Sequence, residues 1–322
     1  MLSLGRSYQA AAVFGAAAEL EIFDALAAGS LTAKVMARRL HCGLRGLAIL
    51  LDALAAVRLL RKRGDRYGLP AGAAALLNSA GSQSIVAMAR HQAHCLRNWA
   101  QLAMVVKTGR PAKRLPGVRG RAGDAAAFIG GMHDISAPVA DEVIRAVKPL
   151  CFRCLLDVGG ASGTWTMAFL RACPSAKAIL FDRPHVIPMA RRRLAAAGFG
   201  QQVKLMAGDF MTDRLPGGTD LAWVSAIVHQ NSRAQNRALF GKVFEVLLPG
   251  GRVAIRDMLM ERTRTRPVAG ALFAVNMLVA TAGGGTFTYD ELREDLEATG
   301  FRRVGVSRRD EAMNSIVMAW KP

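Results

Sequence analysis

The sequence is short of acidic residues, cysteine and aromatic side chains, and it has no long unbroken apolar run. Only 24 Asp and Glu stand against 43 Lys and Arg, leaving a net charge of +19. The basic excess is five over residues 1–80, six over 81–150 and eight over 151–322, so no basic tail exists. Nucleic acid or an anionic surface is compatible with this charge, but nothing in its distribution requires either. Of the basic residues 34 are Arg, which GC-rich coding explains as readily as phosphate reading does. Five cysteines in 322 residues are too few for a disulfide scaffold, and an odd number cannot all pair. Cys151 and Cys154 form a C-x-x-C with no second pair or His cluster, so no metal site is expected and a reduced, cytoplasmic protein is the default. No apolar stretch reaches the ~20 residues that span a bilayer. Ala10–Ala18 lies between Arg6 and Glu19 and continues a helical pattern, unlike a signal peptide. Val268–Ala282 is short and interrupted by Asn276, and reads as a buried helix.

Apolar residues make up 52% and charged residues 21%, the balance of a folded chain with room for two domains. Val13, Leu20, Phe23 and Leu26 predict a helix over 8–27, stopped by Gly29. A short helix capped by Thr32 follows, then a strongly apolar helix over Leu44–Leu60. "RKRGDRYGLP" predicts a hairpin turning at Gly64-Asp65. Three helices and a hairpin are the order of a winged-helix module. Residues 82–108 read as a further helix, and 110–123, rich in Arg, Pro and Gly, as a loop. A helix is expected over 125–147, kinked at Pro138. Beyond Cys151 short apolar strands alternate with helices: "CLLDVGG", "AKAILFD", "QVKLMAGD", "DLAWVSAIV" and "GRVAIRD". That alternation predicts an α/β fold with a parallel sheet.

"LLDVGGASGTWTMAFL" is a strand, a glycine-rich turn and a helix start. Gly159, Gly160 and Gly163 permit a tight turn and close approach of backbone N–H groups to a ligand. Such a turn alone would suit NAD, a nucleotide or another adenosyl ligand. Three acids sharpen it. Asp157 ends the first strand. Asp182 ends the second, where a carboxylate can take both ribose hydroxyls. Asp209 ends the third, with Phe210 beside it, where a carboxylate can accept from an adenine amino group. Each acid alone could be a strand-end cap; three in successive strands point to an adenosyl ligand.

With "FDRPHVIPMAR", "AGDF", "HQNSRAQNRALFGKVFEVLLPGGRVAIRD" and "GGGTFTYDELREDLEATGF" added, the chain resembles the S-adenosylmethionine-dependent small-molecule O-methyltransferases. These include caffeate, acetylserotonin and polyketide-tailoring enzymes. The resemblance covers nearly the whole chain. It implies a Rossmann-like class I methyltransferase domain with a mostly parallel seven-stranded sheet over 151–322. A winged-helix-like dimerisation domain would occupy 1–108, and 109–150 would supply a linker and a substrate-pocket helix. It implies that Gly159, Asp182, Asp209 and Phe210 contact S-adenosylmethionine, with Ser225 lining the same pocket. Ala161 replaces the family's common third glycine. His229 in "SAIVHQ" holds the general-base position, although the usual H-D-W is absent because Gln230 and Asn231 follow. Asp257 matches the first of two carboxylates that orient the base. At the second stands Thr286, whose hydroxyl can bond an imidazole but cannot stabilise an imidazolium as a carboxylate does. Thr288 and Glu291 form a capping box. Phe128, Met132 and His133 on one helix, and Phe273, Asn276 and Met277 on another, would wall the substrate pocket. Plain core packing explains each Met or Phe taken singly; Asn276 and His133 are harder to explain that way.

The leading expectation is methyl transfer to a hydroxyl of a small, partly apolar, aromatic molecule by a homodimer. Leu47, Leu50, Leu51 and Leu54 give the apolar helix more surface than one small domain can cover. A second reading keeps the cofactor but replaces methylation with hydroxylation, decarboxylation or pericyclic chemistry, motivated by Thr286. A third is a winged-helix DNA-binding regulator, motivated by Arg61-Lys62-Arg63. Against it, only Asp52 and Arg58 are charged over Leu47–Leu60, the stretch that would read DNA.

Overall fold

A computed structural model describes residues 2–81 and 83–322 and divides the chain into two units. The first runs to Gln101 and includes Lys113–Ile135; the second comprises Leu102–Ala112 and Ser136–Pro322. The expected 109–150 linker is therefore shared between the two.

In the first unit the expected helix over 8–27 is broken into Tyr8–Glu19 and Ile22–Ala25. Glu21 adopts a left-handed φ of 61° at the break, and Glu19 pairs with Arg97 at 2.7 Å. Helices Ala33–Arg39 and Leu44–Ala56 follow, the first capped by Thr32 as expected. Strands β1 (Leu31–Thr32), β2 (Arg61–Arg63) and β3 (Arg66–Gly68) form a small antiparallel sheet in the order β1-β3-β2. Gly64 supplies the positive φ of the β2–β3 turn. Leu47, Leu51 and Leu54 are buried against Ile22, Phe23 and Met36. They serve this unit's own core, which corrects their assignment to a partner surface. Apolar side chains left exposed in this unit include Leu2, Leu4, Leu44, Ile49, Val57 and Val118. The expected helix over 82–108 is interrupted, as Val86–Trp99 and Leu102–Thr108.

The helix expected over 125–147 begins earlier and ends at Ser136; Ala140–Ile144 resumes beyond the break at Pro138, whose ring cannot donate to the ladder. The second unit is built on β4 (Cys154–Val158), β5 (Lys177–Asp182), β6 (Val203–Ala207), β7 (Thr219–Ser225) and β8 (Leu247–Asp257). After β9 (Leu259–Met260) and β10 (Phe287–Thr288) come β11 (Arg302–Arg308) and β12 (Ser315–Trp320). The seven-stranded sheet runs β11-β12-β8-β7-β4-β5-β6, and only the β11–β12 and β12–β8 pairs are antiparallel. Both faces are covered. Leu155, Leu180, Trp223, Ala254 and Phe169 pack on one; Leu156, Phe181, Val224, Ile255 and Phe240 pack on the other. Two buried faces explain why β4 and β7 read as continuous apolar runs.

Strands β9 and β10 pair in parallel, which brings Thr286 back beside the chain leaving Asp257. The helix Val268–Ala280 buries Gly270, Met277 and Val279 but exposes Val268 and Leu272, so the reading of a fully buried helix is corrected. No described helix is long and apolar enough to cross a membrane.

Thr288 and Glu291 form the expected capping box on Tyr289–Ala298, with Thr288 N–H donating to Glu291 Oε2 at 2.9 Å. Thr288→Ala removes one half of it. The expected cost is about 1 kcal/mol, measurable as a lower denaturation midpoint at unchanged slope.

Candidate functional site at the carboxyl edge of the sheet

The parallel strands end together, and the chain between β4 and the helix Thr164–Ala172 turns sharply there. Gly159 (φ 67°), Ala161 (φ 48°) and Gly163 (φ 80°) are left-handed. At Ala161 the Cβ makes that conformation costly, on the order of 1 kcal/mol. A Cβ on Gly159 would meet Ile227 Cδ1 at 2.6 Å, and one on Gly160 would meet Leu180 Cγ at 2.6 Å and Asp157 Cγ at 2.9 Å. The turn can therefore be no bulkier at either position.

Asp157 lies under the turn, is 1% exposed and accepts the Thr166 hydroxyl at 2.5 Å. Burial pushes its carboxyl up to about 7, opposed by the Thr166 bond. It braces the turn from below. Asp182 accepts from Ala161 N at 2.7 Å and from Arg183 N at 2.7 Å, and burial raises its pKa. Each of its oxygens keeps lone-pair capacity for a second donor. Asp209 accepts from Met211 N at 2.9 Å and lies 3.4 Å from the Arg183 guanidinium. A Cβ on Gly159 would sit 3.7 Å from Phe210 Cε1, so the aromatic ring stands beside the turn. Asp182, Asp209, Phe210 and the glycines thus gather along one edge.

His229 occupies a short 3₁₀ turn, Val228–Gln230, just beyond β7. It is buried, and its Nδ1 lies 2.8 and 3.0 Å from the two Asp257 oxygens. A carboxylate only accepts, so Nδ1 carries the hydrogen and Nε2 presents the lone pair. Asp257 also accepts from Met258 N at 2.7 Å. The Phe273 ring meets the imidazole edge-on, with centroids 4.8 Å apart. The glycine run behind it is forced: a Cβ on Gly284 would lie 2.4 Å from the His229 carbonyl oxygen, which accepts from Gly285 N at 2.9 Å.

Thr286, expected as the hydroxyl beside the imidazole, is buried and donates instead to the Gly270 carbonyl at 3.4 Å. Phe273, Asn276 and Met277 share the helix Val268–Ala280 with this contact. Phe128, Met132 and His133 lie on the helix beginning at Gly120 in the first unit, where the Phe128 ring packs 5.2 Å from His91. Among the described residues no group of three or more His, Cys, Asp or Glu is placed to hold a metal, and all five cysteines are free thiols.

Sequence reasoning missed Arg256. It is 3% exposed and lies on the opposite face of β8 from Asp257. Its Nη1 donates to Ser225 Oγ at 3.1 Å, and Nε and Nη2 donate to Asn314 Oδ1 at 3.0 and 2.7 Å. The guanidinium stacks 4.3 Å from the Trp165 ring centre. Burial draws its pKa down to about 10. The signal was present as a cation directly after the apolar run Val253–Ile255, within a central strand.

Asp157 holds its proton more tightly folded than unfolded. Its contribution to stability is therefore largest below its ordinary value of 3.8 and is lost as pH rises toward about 7. Asp157→Asn keeps an oxygen for Thr166 and cannot ionise. Thermal unfolding across that window should show the decline in the wild type and its absence in the variant.

Residues 99–302 match a family model described as an O-methyltransferase domain, and residues 2–79 match an O-methyltransferase dimerisation domain. A 3-hydroxy-5-methyl-1-naphthoate 3-O-methyltransferase of Streptomyces sahachiroi is 33% identical over 277 residues, covering 83% of this chain and 79% of that protein. An N,N-dimethyltransferase of Streptomyces rimosus is 28% identical, covering 100% of this chain and 96% of that one. Human N-acetylserotonin methyltransferase, solved in complex with S-adenosylmethionine, superposes with a TM-score of 0.84 at 24% identity, covering 99% of this chain and 95% of that one. At that identity the likeness establishes the fold.

Proposed function

Because the chain belongs to the O-methyltransferase family, we propose that this S-adenosylmethionine-dependent methyltransferase acts on a hydroxyl of a small aromatic molecule, with His229 as general base. The observation that carries the reading is the buried His229–Asp257 pair at the carboxyl end of β7. Parallel sheets bind their ligands at that edge.

The residues at the turn suit the cofactor. Asp182 takes the ribose hydroxyls, Asp209 the adenine amino group and Phe210 one face of the ring, while the turn from Gly159 to Gly163 admits the chain between nucleoside and sulfur. Ser225 lines the far side, and Asp157 holds the turn in shape. When bound, S-adenosylmethionine supplies a methyl group made electrophilic by its sulfonium. His229 Nε2 takes the acceptor hydroxyl's proton, and Asp257 holds the tautomer and stabilises the imidazolium. Phe273, Asn276 and Met277, on the helix that carries the ring beside His229, select a flat, partly apolar acceptor. In this reading residues 1–108 carry a homodimer interface, residues 109–150 supply the linker and pocket helix, residues 151–322 hold the cofactor, and the protein works in the cytoplasm. The free cysteines and the dimerisation-domain match support it.

The regulator reading is weakened because the exposed face of the helix Leu44–Ala56 carries Leu44 and Ile49 and one cation, Arg45. Non-methylating chemistry draws support only from Thr286.

Asp182→Ala should weaken S-adenosylhomocysteine binding by about 2 kcal/mol in calorimetry. Equal affinity in both proteins would remove Asp182 from the site. His229→Ala should lower turnover by about 10²–10⁴-fold with cofactor affinity nearly unchanged. A His229→Ala variant that methylates its acceptor at the wild-type rate would end the general-base role.

A further inference from the structure

Arg256 is a buried cation whose bonded partners are all neutral. Ser225 offers a hydroxyl, Asn314 an amide oxygen and Trp165 a π face. The acids near it are committed elsewhere: Asp257 to His229 on the opposite face of the sheet, and Asp310 to Arg308 at 3.5 Å. A buried charge without a bonded counter-ion is costly unless something supplies the opposite sign. Volume does not require a charge here, because the same face is otherwise built from Trp223, Ala254 and Trp165.

Register places this cation at the site. Arg256 pairs with Ser225 on β7, and the residue before Ser225, Val224, pairs with Val158, the last residue before the glycine turn. Trp165 lies in the first turn of the helix that follows the glycines. The inference rests on the cofactor reading above, which puts adenine at the end of β6 and ribose at the end of β5. The remaining part of the cofactor, an amino acid linked through sulfur, must then extend across β4 toward β7. That is two strand spacings, about 10 Å, the length of such a chain. Its end brings one carboxylate.

We propose that Arg256 is a positioning residue for the carboxylate of the cofactor's amino-acid end, acting through Ser225. The serine oxygen accepts from the guanidinium, so its own hydrogen is left to donate, and the neighbouring cation strengthens that donation. Arg256 thereby selects a cofactor that carries a carboxylate over one that does not. It touches neither the reacting atoms nor His229.

The test compares S-adenosylhomocysteine with its decarboxylated analogue, which keeps the nucleoside, thioether and amine. Calorimetry on the full-length protein measures both affinities in the wild type, Arg256→Leu, Arg256→Lys and Ser225→Ala. Leu replaces a buried ion with apolar volume, a change that proteins often tolerate, and a thermal melt checks the fold. Arg256→Leu and Ser225→Ala should each lose about tenfold or more in affinity for S-adenosylhomocysteine. Affinity for the analogue should change by less than about twofold, and Arg256→Lys should recover part of the loss. Equal loss for both ligands would reduce Arg256 to a structural role and overturn the proposal, as would no loss for either. A wild type that binds neither ligand would instead overturn the cofactor reading, and this inference with it.

Discussion

The end of β4 is the constraint on which the second unit's site depends. This strand is buried on both faces between β5 and β7, so the chain must leave it abruptly at the edge. The exit is anchored to the end of β5. Gly159 N donates to the Phe181 carbonyl at 2.8 Å, and Ala161 N donates to Asp182 at 2.7 Å. Thr166 reaches back to Asp157 beneath. Once this turn is set, parallel register brings Ser225 alongside it and Asp182 one strand away. Strain at Ala161 and the ionisation cost at Asp157 are accepted at one point, where backbone N–H groups must face outward.

The pleat of β8 then separates two tasks. Adjacent residues of a strand face opposite sides of the sheet, so Asp257 faces the His229 turn and Arg256 faces Trp165. The acid and the base next to it in sequence thus act on different faces. The acid fixes an imidazole tautomer. The guanidinium fixes a serine hydroxyl on the neighbouring strand. Removing either changes a hydrogen-bond direction more than it changes packing. His229 is held at three points, its imidazole by Asp257 and Phe273 and its backbone carbonyl by the glycine run. Steric demand explains that run, since Gly284 has no room for a Cβ.

The two helix walls expected around the substrate differ in character. The helix with Phe273 and Met277 belongs to the same unit as His229 and touches it. The helix with Phe128, Met132 and His133 belongs to the first unit. In that unit the apolar helix Leu44–Ala56 turns most of its leucines into the core. Its uncovered residues, with Leu2 and Leu4 near the N-terminus, are fewer than its composition suggested.

Periodicity and turn chemistry determined the strand order along the chain, the glycine turn, the β2–β3 hairpin and the Thr288 cap, because each depends on neighbours a few residues apart. The three strand-end acids were legible for the same reason: each closes its own apolar run. Resemblance to a family singled out His229 and Asp257, which lie 28 residues apart in the chain and share no local pattern. The rest was decided by tertiary packing. The helix break at Glu21 moved an element boundary that periodicity had smoothed over. Leu47, Leu51 and Leu54 became core once Ile22 and Phe23 folded over them, which no single helix can reveal. Thr286 took the Gly270 carbonyl because β9 and β10 pair. Arg256 acquired its meaning only when register set Ser225 beside it and Asn314 and Trp165 closed around it. Hydrogen bonds between distant strands depend on register and pleat, and those exist only after the sheet has formed.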